Sequence, residues 1–216
     1  MPKVRKESLP FFIPVFILSL IFLKLYILIG IIFLALSAFI LYFFRDPEKN
    51  IPQNSENLII APADGKIITL RKVTSEEQKK FHTTANASKI SIFMNVFNVH
   101  VNRAPITGKI THLLHTKGKK LPAFREKSSE LNEHTDIQIQ NKNTTISLRL
   151  IAGLVAQRIV TFKEKNYNIT AGERMSLIKF GSRVDIFIPE NFNVTAKIND
   201  KTSAGETILA RIKKIA

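Results

Sequence analysis

Cysteine is absent from all 216 residues, which excludes a disulfide scaffold, thiolate zinc sites and a cysteine nucleophile. The five histidines offer no metal-ligand spacing. His112 and His115 stand three apart, and in a strand they would face opposite ways. No Gly-x-Ser-x-Gly elbow occurs, which argues against an ordinary serine hydrolase. Zinc-finger spacing, an aromatic ribonucleoprotein motif and a basic helix with heptads are also missing, and nucleic acid is disfavoured as a partner. There is no repeat of fixed period.

Acidic residues are scarce. Against 32 Lys and Arg stand 17 Asp and Glu, a formal net charge of +15, which favours an anionic partner. The densest basic run is Lys117, Lys119, Lys120, Arg125 and Lys127, interleaved with Leu121, Pro122, Ala123 and Phe124. A solvated loop is the plain reading of such a run. The apolar interleaving and a membrane-type segment in the same chain favour contact with lipid headgroups. With 45% hydrophobic and 23% charged residues the chain is not disordered as a whole.

The apolar residues are unevenly placed. Phe11 to Phe44 contains one charged residue, Lys24, which divides it into runs of 13 and 20 residues. Basic residues flank both ends: Lys3, Arg5 and Lys6 before, Arg45 and Lys49 after. The stretch is too long for a secretory signal and lacks a small-residue cleavage site, so it reads as a retained anchor covering residues 1–44. Two arrangements fit, a single tilted span from about Phe22 to Phe44 or a tight hairpin. The hairpin satisfies the symmetric basic flanks.

Residues 45–216 read as one mainly β domain, a compact sandwich or barrel with short helices. Ile146, Leu148 and Leu150 alternate with Ser147 and Arg149 as in a half-buried strand, and Val184, Ile186 and Ile188 alternate around Asp185 and Phe187. Lys89 to Val101 is apolar on both faces at first and suggests a central strand. Turn signals recur at Asp64-Gly65, Thr107-Gly108, Lys117-Gly118, Ala171-Gly172 and Ala204-Gly205. Ser75 to Phe81 and Ala123 to Leu131 are the helix candidates.

Three residues together supply the parts of an activated nucleophile: Ser182 after Gly181, His100 at the end of an apolar run, and Asp64 before Gly65. Singly, each is an ordinary turn or core residue.

The motifs Tyr42-Phe43-Phe44-Arg45-Asp46-Pro47, Ala61-Pro62-Ala63-Asp64-Gly65, Ser91 to Arg103, Ile151-Ala152-Gly153 through Val160, Gly172-Glu173-Arg174 and Phe180-Gly181-Ser182-Arg183-Val184-Asp185 follow one another in this order. The set resembles the short, bacterial, pyruvoyl-dependent phosphatidylserine decarboxylase proenzymes from Tyr42 to Glu206. The resemblance implies a lipoyl-like sandwich–barrel hybrid and self-cleavage between Gly181 and Ser182, giving a β chain (1–181) and an α chain (182–216) that stay together as a heterodimer, with higher assembly left open. Ser182 would become a pyruvoyl group that forms a Schiff base with phosphatidylserine and releases CO2 and phosphatidylethanolamine, with neither metal nor pyridoxal phosphate. His100 would be the base, oriented by Asp64. The enzyme would sit at the bacterial inner membrane, on its cytoplasmic face, against an anionic lipid surface.

Two positions depart from the family pattern: Arg103 stands where long forms have a second histidine, and His134 follows Asn132-Glu133 where relatives tend to carry arginine. The alternative is a basic, membrane-anchored, lipoyl-like binding module that never cleaves, although the attachment lysine of such carriers, in Met-Lys-Met or Asp-Lys-Ala, is not found.

Overall fold

The computed structural model describes residues 3–53, 55–119, 121–124, 128–153, 158–179 and 181–213. The chain divides into two compact units, Met1–Glu48 and Lys49–Ala216.

In the first unit the apolar stretch forms two helices, α1 (Leu9–Leu25) and α2 (Ile27–Phe43), broken only at Tyr26, whose φ of −146° and ψ of 90° leave the helical region. They fold back on each other as a hairpin. Phe22 stacks on Phe33 at 5.4 Å and Phe11 on Phe44 at 5.9 Å. Gly30 lets the helices close, because a β-carbon there would lie 2.4 Å from the Leu23 backbone nitrogen. The two ends meet in an antiparallel ladder of Lys3–Val4 with Arg45–Asp46. Of the two arrangements open to the sequence, the hairpin is the one formed. Ser19 and Ser37 return their hydroxyls to the carbonyls of Phe16 and Phe33, so neither serine disturbs the apolar surface. Lys6–Leu25 is long and apolar enough to cross a membrane, and Ile27–Phe43 is shorter. At 1.5 Å per residue each helix reaches about 26 Å, close to the roughly 30 Å of a hydrocarbon core. Leu25, Ile27, Leu28 and Ile32 stay exposed, an apolar surface that lipid would cover.

The second unit is mainly β, as expected. Among the described residues its largest sheet is antiparallel throughout, in the order Asn168–Ile169, Gly108–Thr116, His134–Gln140, Thr145–Ala152, Ser182–Ile188, Ser88–Met94, Gly65–Lys72 and Lys201–Thr202. Two three-stranded sheets complete it. One places Arg174–Ile178 between Ile159–Thr161 and Val101–Arg103; the other places Ile208–Ile212 between Phe192–Val194 and Leu58–Ile60. Alternate residues of the central strands (Ile90, Ile92 and Met94; Leu148 and Leu150; Val184, Ile186 and Ile188) fill one hydrophobic core.

The opposite face of these strands departs from expectation. Ser147, Arg149 and Asp185 alternate with core residues as on the open face of a half-buried strand, yet all three are buried, and so is Arg183. Two short helices cover them, α3 (Ser75–Phe81) and α4 (Ser128–Leu131). α3 starts with a reciprocal Thr74–Glu77 capping box and ends by stacking Phe81 on Phe187 at 4.0 Å. The polar groups beneath are paired. Arg149 grips Asp136 through two bonds of 2.6 Å. Asp185 accepts from Arg183, from Ser129 at 2.9 Å and from Lys89 at 3.2 Å. Burial alone would push the Asp185 carboxyl up; Arg183 and Lys89 outweigh it and hold it below the usual carboxylate range. Lys89 to Val101 is not one continuous element. The strand stops at Met94, where Asn95 and Asn98 bond each other's backbone in a turn, and the chain resumes as Val101–Arg103 in another sheet. The helix expected over Ala123 to Leu131 is confined to α4 among the described residues.

Glu77 bonds Arg71 and Lys89, which overcome its partial burial and lower its pKa from 4.5 to about 2. A group depressed in the folded state contributes stability above its unfolded pKa and loses it as pH falls through the folded one. Melting temperature should therefore drop between about pH 4.5 and pH 2, and Glu77→Gln should start lower at pH 7 and fall less steeply over that interval.

Candidate active site

Ser182 opens the central strand Ser182–Ile188, paired with Met94 on one side and Ala152 on the other. It shares a face with Val184 and Ile186, so its side chain turns toward the core. The residue is fully buried, and among the described residues its hydroxyl has no hydrogen-bond partner. A buried hydroxyl left unsatisfied costs about 1–3 kcal/mol and marks a group kept for something other than stability.

Gly181 precedes it with φ +65°, the left-handed region that an L side chain resists. A β-carbon at Gly181 would touch nothing within 4 Å, so the demand for glycine there is conformational rather than steric. The Gly181 carbonyl accepts a 3.0 Å bond from the N–H of Gly153.

His100 comes to this corner through the backbone. Its carbonyl accepts from the N–H of Ile178, the last residue of the strand that leads into Gly181. The imidazole is fully buried, with Nδ1 2.9 Å from the carbonyl of Asn98. A carbonyl only accepts, so Nδ1 carries a proton, and Nε2 is the ring position from which a general base would act.

The Asp64 carboxylate is engaged elsewhere, with Lys49 at 3.1 Å and the N–H of Ala204 at 2.7 Å. Lys49 also donates to Ser203, which is bonded to Glu206. The link from Asp64 toward His100 is the turn itself, because Pro62 accepts from the N–H of Arg103, three residues after His100. Arg103 is buried and donates to the carbonyl of Gly172, an anchor between two loops.

His134 is nine-tenths enclosed, its Nδ1 2.7 Å from the Asn132 carbonyl. Burial lowers its pKa, with Arg149 adding to the effect against Asn132 and Asp136, which leaves it neutral near pH 7 and a poor partner for phosphate. Of the basic run, Lys117 and Lys119 are exposed; Lys120, Arg125 and Lys127 lie outside the described residues, as do 154–157 and 180 of the quoted motifs.

Sequence reasoning missed the buried pair beside this corner: Ser176 donates to Asn102 at 3.2 Å, and Asn102 points its amide at the Met94 sulfur. Asn102, two residues beyond His100 in the same motif, was the available signal. A cleft of about 470 Å³ lined by Arg71, Lys89, Arg149 and Ser129 opens on the other face of the sheet, and its cations already serve Glu77, Asp185 and Asp136.

A mainly β domain in which a half-buried glycine at positive φ precedes a buried serine, with a buried histidine on the adjoining strand end, follows an apolar hairpin. Comparison with known proteins identifies the family. The family model for phosphatidylserine decarboxylase matches residues 36–210. Proteins named phosphatidylserine decarboxylase proenzyme are 47% identical over 182 residues in Desulfotalea psychrophila (84% of this chain, 83% of that one) and 41% identical over 216 residues in Pelagibacter ubique (97% of each). A third, from Prosthecochloris aestuarii, is 43% identical over 177 residues, covering 82% of this chain and 79% of its own. The chain belongs to the phosphatidylserine decarboxylase family.

In a Ser182→Ala background, Gly181→Ala should lower unfolding stability by about 1–2 kcal/mol and Gly181→Asn by less, since asparagine tolerates positive φ. Urea midpoints of the two variants measure this.

Proposed function

We propose that the chain is a self-cleaving precursor whose Ser182 becomes the pyruvoyl group with which it decarboxylates phosphatidylserine to phosphatidylethanolamine. The observation that carries this reading is the buried hydroxyl of Ser182, without a partner among the described residues, directly after a glycine at positive φ. The residues present fit such a group: among the described residues the serine hydroxyl has no partner to give up, and no heavy atom lies within 4 Å of a β-carbon placed on Gly181.

His100 takes the proton from Ser182 Oγ, the oxygen bonds to the Gly181 carbonyl carbon, and the carbon–nitrogen bond breaks as the proton passes to the serine nitrogen. The chain is then joined by an ester. Loss of the Ser182 α-proton with departure of the Gly181 carboxylate leaves dehydroalanine, which water converts to the keto group and ammonia. Once formed, that group supplies an electron sink for the carbon that loses CO2. Asp64 acts on His100 through the turn it fixes with Lys49, a positioning role.

Scission need not separate the pieces. Ser182–Ile188 lies between two β-chain strands, and Ile208–Ile212 between Leu58–Ile60 and Phe192–Val194, which supports a β–α heterodimer held by its sheets.

The substrate is an anionic lipid, and several features suit the chain to its surface. The hairpin is apolar and basic at both flanks, consistent with a bacterial inner membrane and a domain on the cytoplasmic face. Phe124 is exposed and rests edge-on against Phe93, next to the Met94–Ser182 pair, and exposed Val96 and Phe97 lie in the turn that follows. We assign the headgroup contacts to Lys117, Lys119, Lys120, Arg125 and Lys127, at about 1 kcal/mol per charge near the surface.

Expressed in membranes, the wild-type chain should yield a fragment 182–216 that is blocked to Edman sequencing, and should release CO2 from carboxyl-labelled phosphatidylserine. Ser182→Ala should stay whole and inactive, and His100→Ala should cleave at least about a hundredfold more slowly. Asp64→Asn should slow cleavage, because the turn that seats His100 loses its ion pair with Lys49; the rate of fragment formation measures this. A wild-type chain that stays intact by mass would instead support the non-cleaving binding module.

A further inference from the structure

The structure assigns a role in self-cleavage to one peptide group, that joining Ala152 to Gly153, and to the Asn132 side chain that holds it. This inference rests on the self-cleavage reading above. The N–H of Gly153 donates to the carbonyl oxygen of Gly181 at 3.0 Å, and this is the carbonyl that Ser182 would attack. The oxygen of the same peptide group, on Ala152, accepts from Asn132 Nδ2 at 2.7 Å. The three groups form a chain: Asn132 amide to Ala152 carbonyl, Gly153 N–H to Gly181 carbonyl. A hydrogen bond to one end of a peptide polarises it and strengthens the donor at the other end.

The arrangement is held firmly. Asn132 is fully buried and makes two further bonds, donating to the Leu121 carbonyl at 2.6 Å and accepting from the Leu121 N–H at 2.9 Å. Its amide therefore has one orientation. Position 153 admits only glycine, since a β-carbon would lie 2.3 Å from the Gly181 oxygen. The Ser182–Ala152 pair of the sheet ladder fixes the distance between the two glycines.

When the serine oxygen bonds to the Gly181 carbon, the carbonyl electron pair moves onto its oxygen. The Gly153 N–H already points at that oxygen, and its bond strengthens as the charge develops. Removal of a single donor of this kind slows reactions by about 10²–10³. Gly153 supplies the donor, and Asn132 is a positioning residue that acts through it.

The test replaces Gly153 with glycolic acid by cell-free translation, which exchanges the one N–H for an ester oxygen and adds no atoms to the crowded site. Full-length chains are followed by mass with and without hydroxylamine, which captures the Gly181 acyl group as a hydroxamate once it has moved to Ser182 oxygen. Urea midpoints verify that each chain is folded. The ester chain should form hydroxamate about a hundredfold more slowly than wild type. Asn132→Asp should slow the ordinary chain about tenfold and the ester chain no further, because its effect passes through the missing N–H. Wild-type hydroxamate rates in the ester chain or in folded Asn132→Asp would overturn the proposal, and additive effects would overturn the role of Asn132. A wild-type chain that forms neither fragment nor hydroxamate would instead overturn the self-cleavage reading itself.

Discussion

The domain depends on a strand buried on both faces that begins with Ser182. Burial on one side is ordinary, with Val184, Ile186 and Ile188 in the hydrophobic core. On the other side Arg183 and Asp185 are buried with their charges, which is tolerable only because Lys89, Ser129 and Arg183 satisfy the carboxylate from several directions. The strand is thereby fixed along its length, and its first residue is held where Met94 and Ala152 leave it. A hydroxyl there cannot reach water and meets no partner among the described residues, which keeps it available to the carbonyl before it.

The charged second face also separates two tasks that a smaller domain would mix. Cations on that face hold structure: Arg149 serves Asp136, and Lys89 serves both Glu77 and Asp185. The face that carries Ser182 packs into the hydrophobic core with Val184, Ile186 and Ile188. Of the basic residues expected to meet lipid, Lys117 and Lys119 are exposed.

Much of this was legible in the residues. Alternation marked the Ile146 and Val184 strands, and the apolar run with Lys24 inside it admitted the hairpin that forms. Alternation reports only that two faces differ, however. It could not show that Arg149 and Asp185 lie under α3 and α4, because their cover comes from segments far away in the chain. Asn95 and Asn98 break an apolar run through side-chain bonds to the backbone, a local signal overridden in the reading by β-branched neighbours. The site was partly readable for the same reason. Ser182, His100 and Asp64 are residue types with chemistry of their own, whereas the roles proposed for Gly153 and Asn132 run through backbone groups whose partners appear only once strands are in register. Asp64 was legible as a residue, but its bonds to Lys49 and Ala204 were not.

The joint is assembled from remote parts: Ser88–Met94, Thr145–Ala152 and the turn at Asn98 must all be seated before Gly181 bends and Ser182 is enclosed. A nascent or misfolded chain has none of these, and under the proposed self-cleavage it would be chemically inert at that bond. On that reading scission dates the moment when the architecture is complete, and a cut molecule would carry in its own covalent structure a record that it once folded correctly.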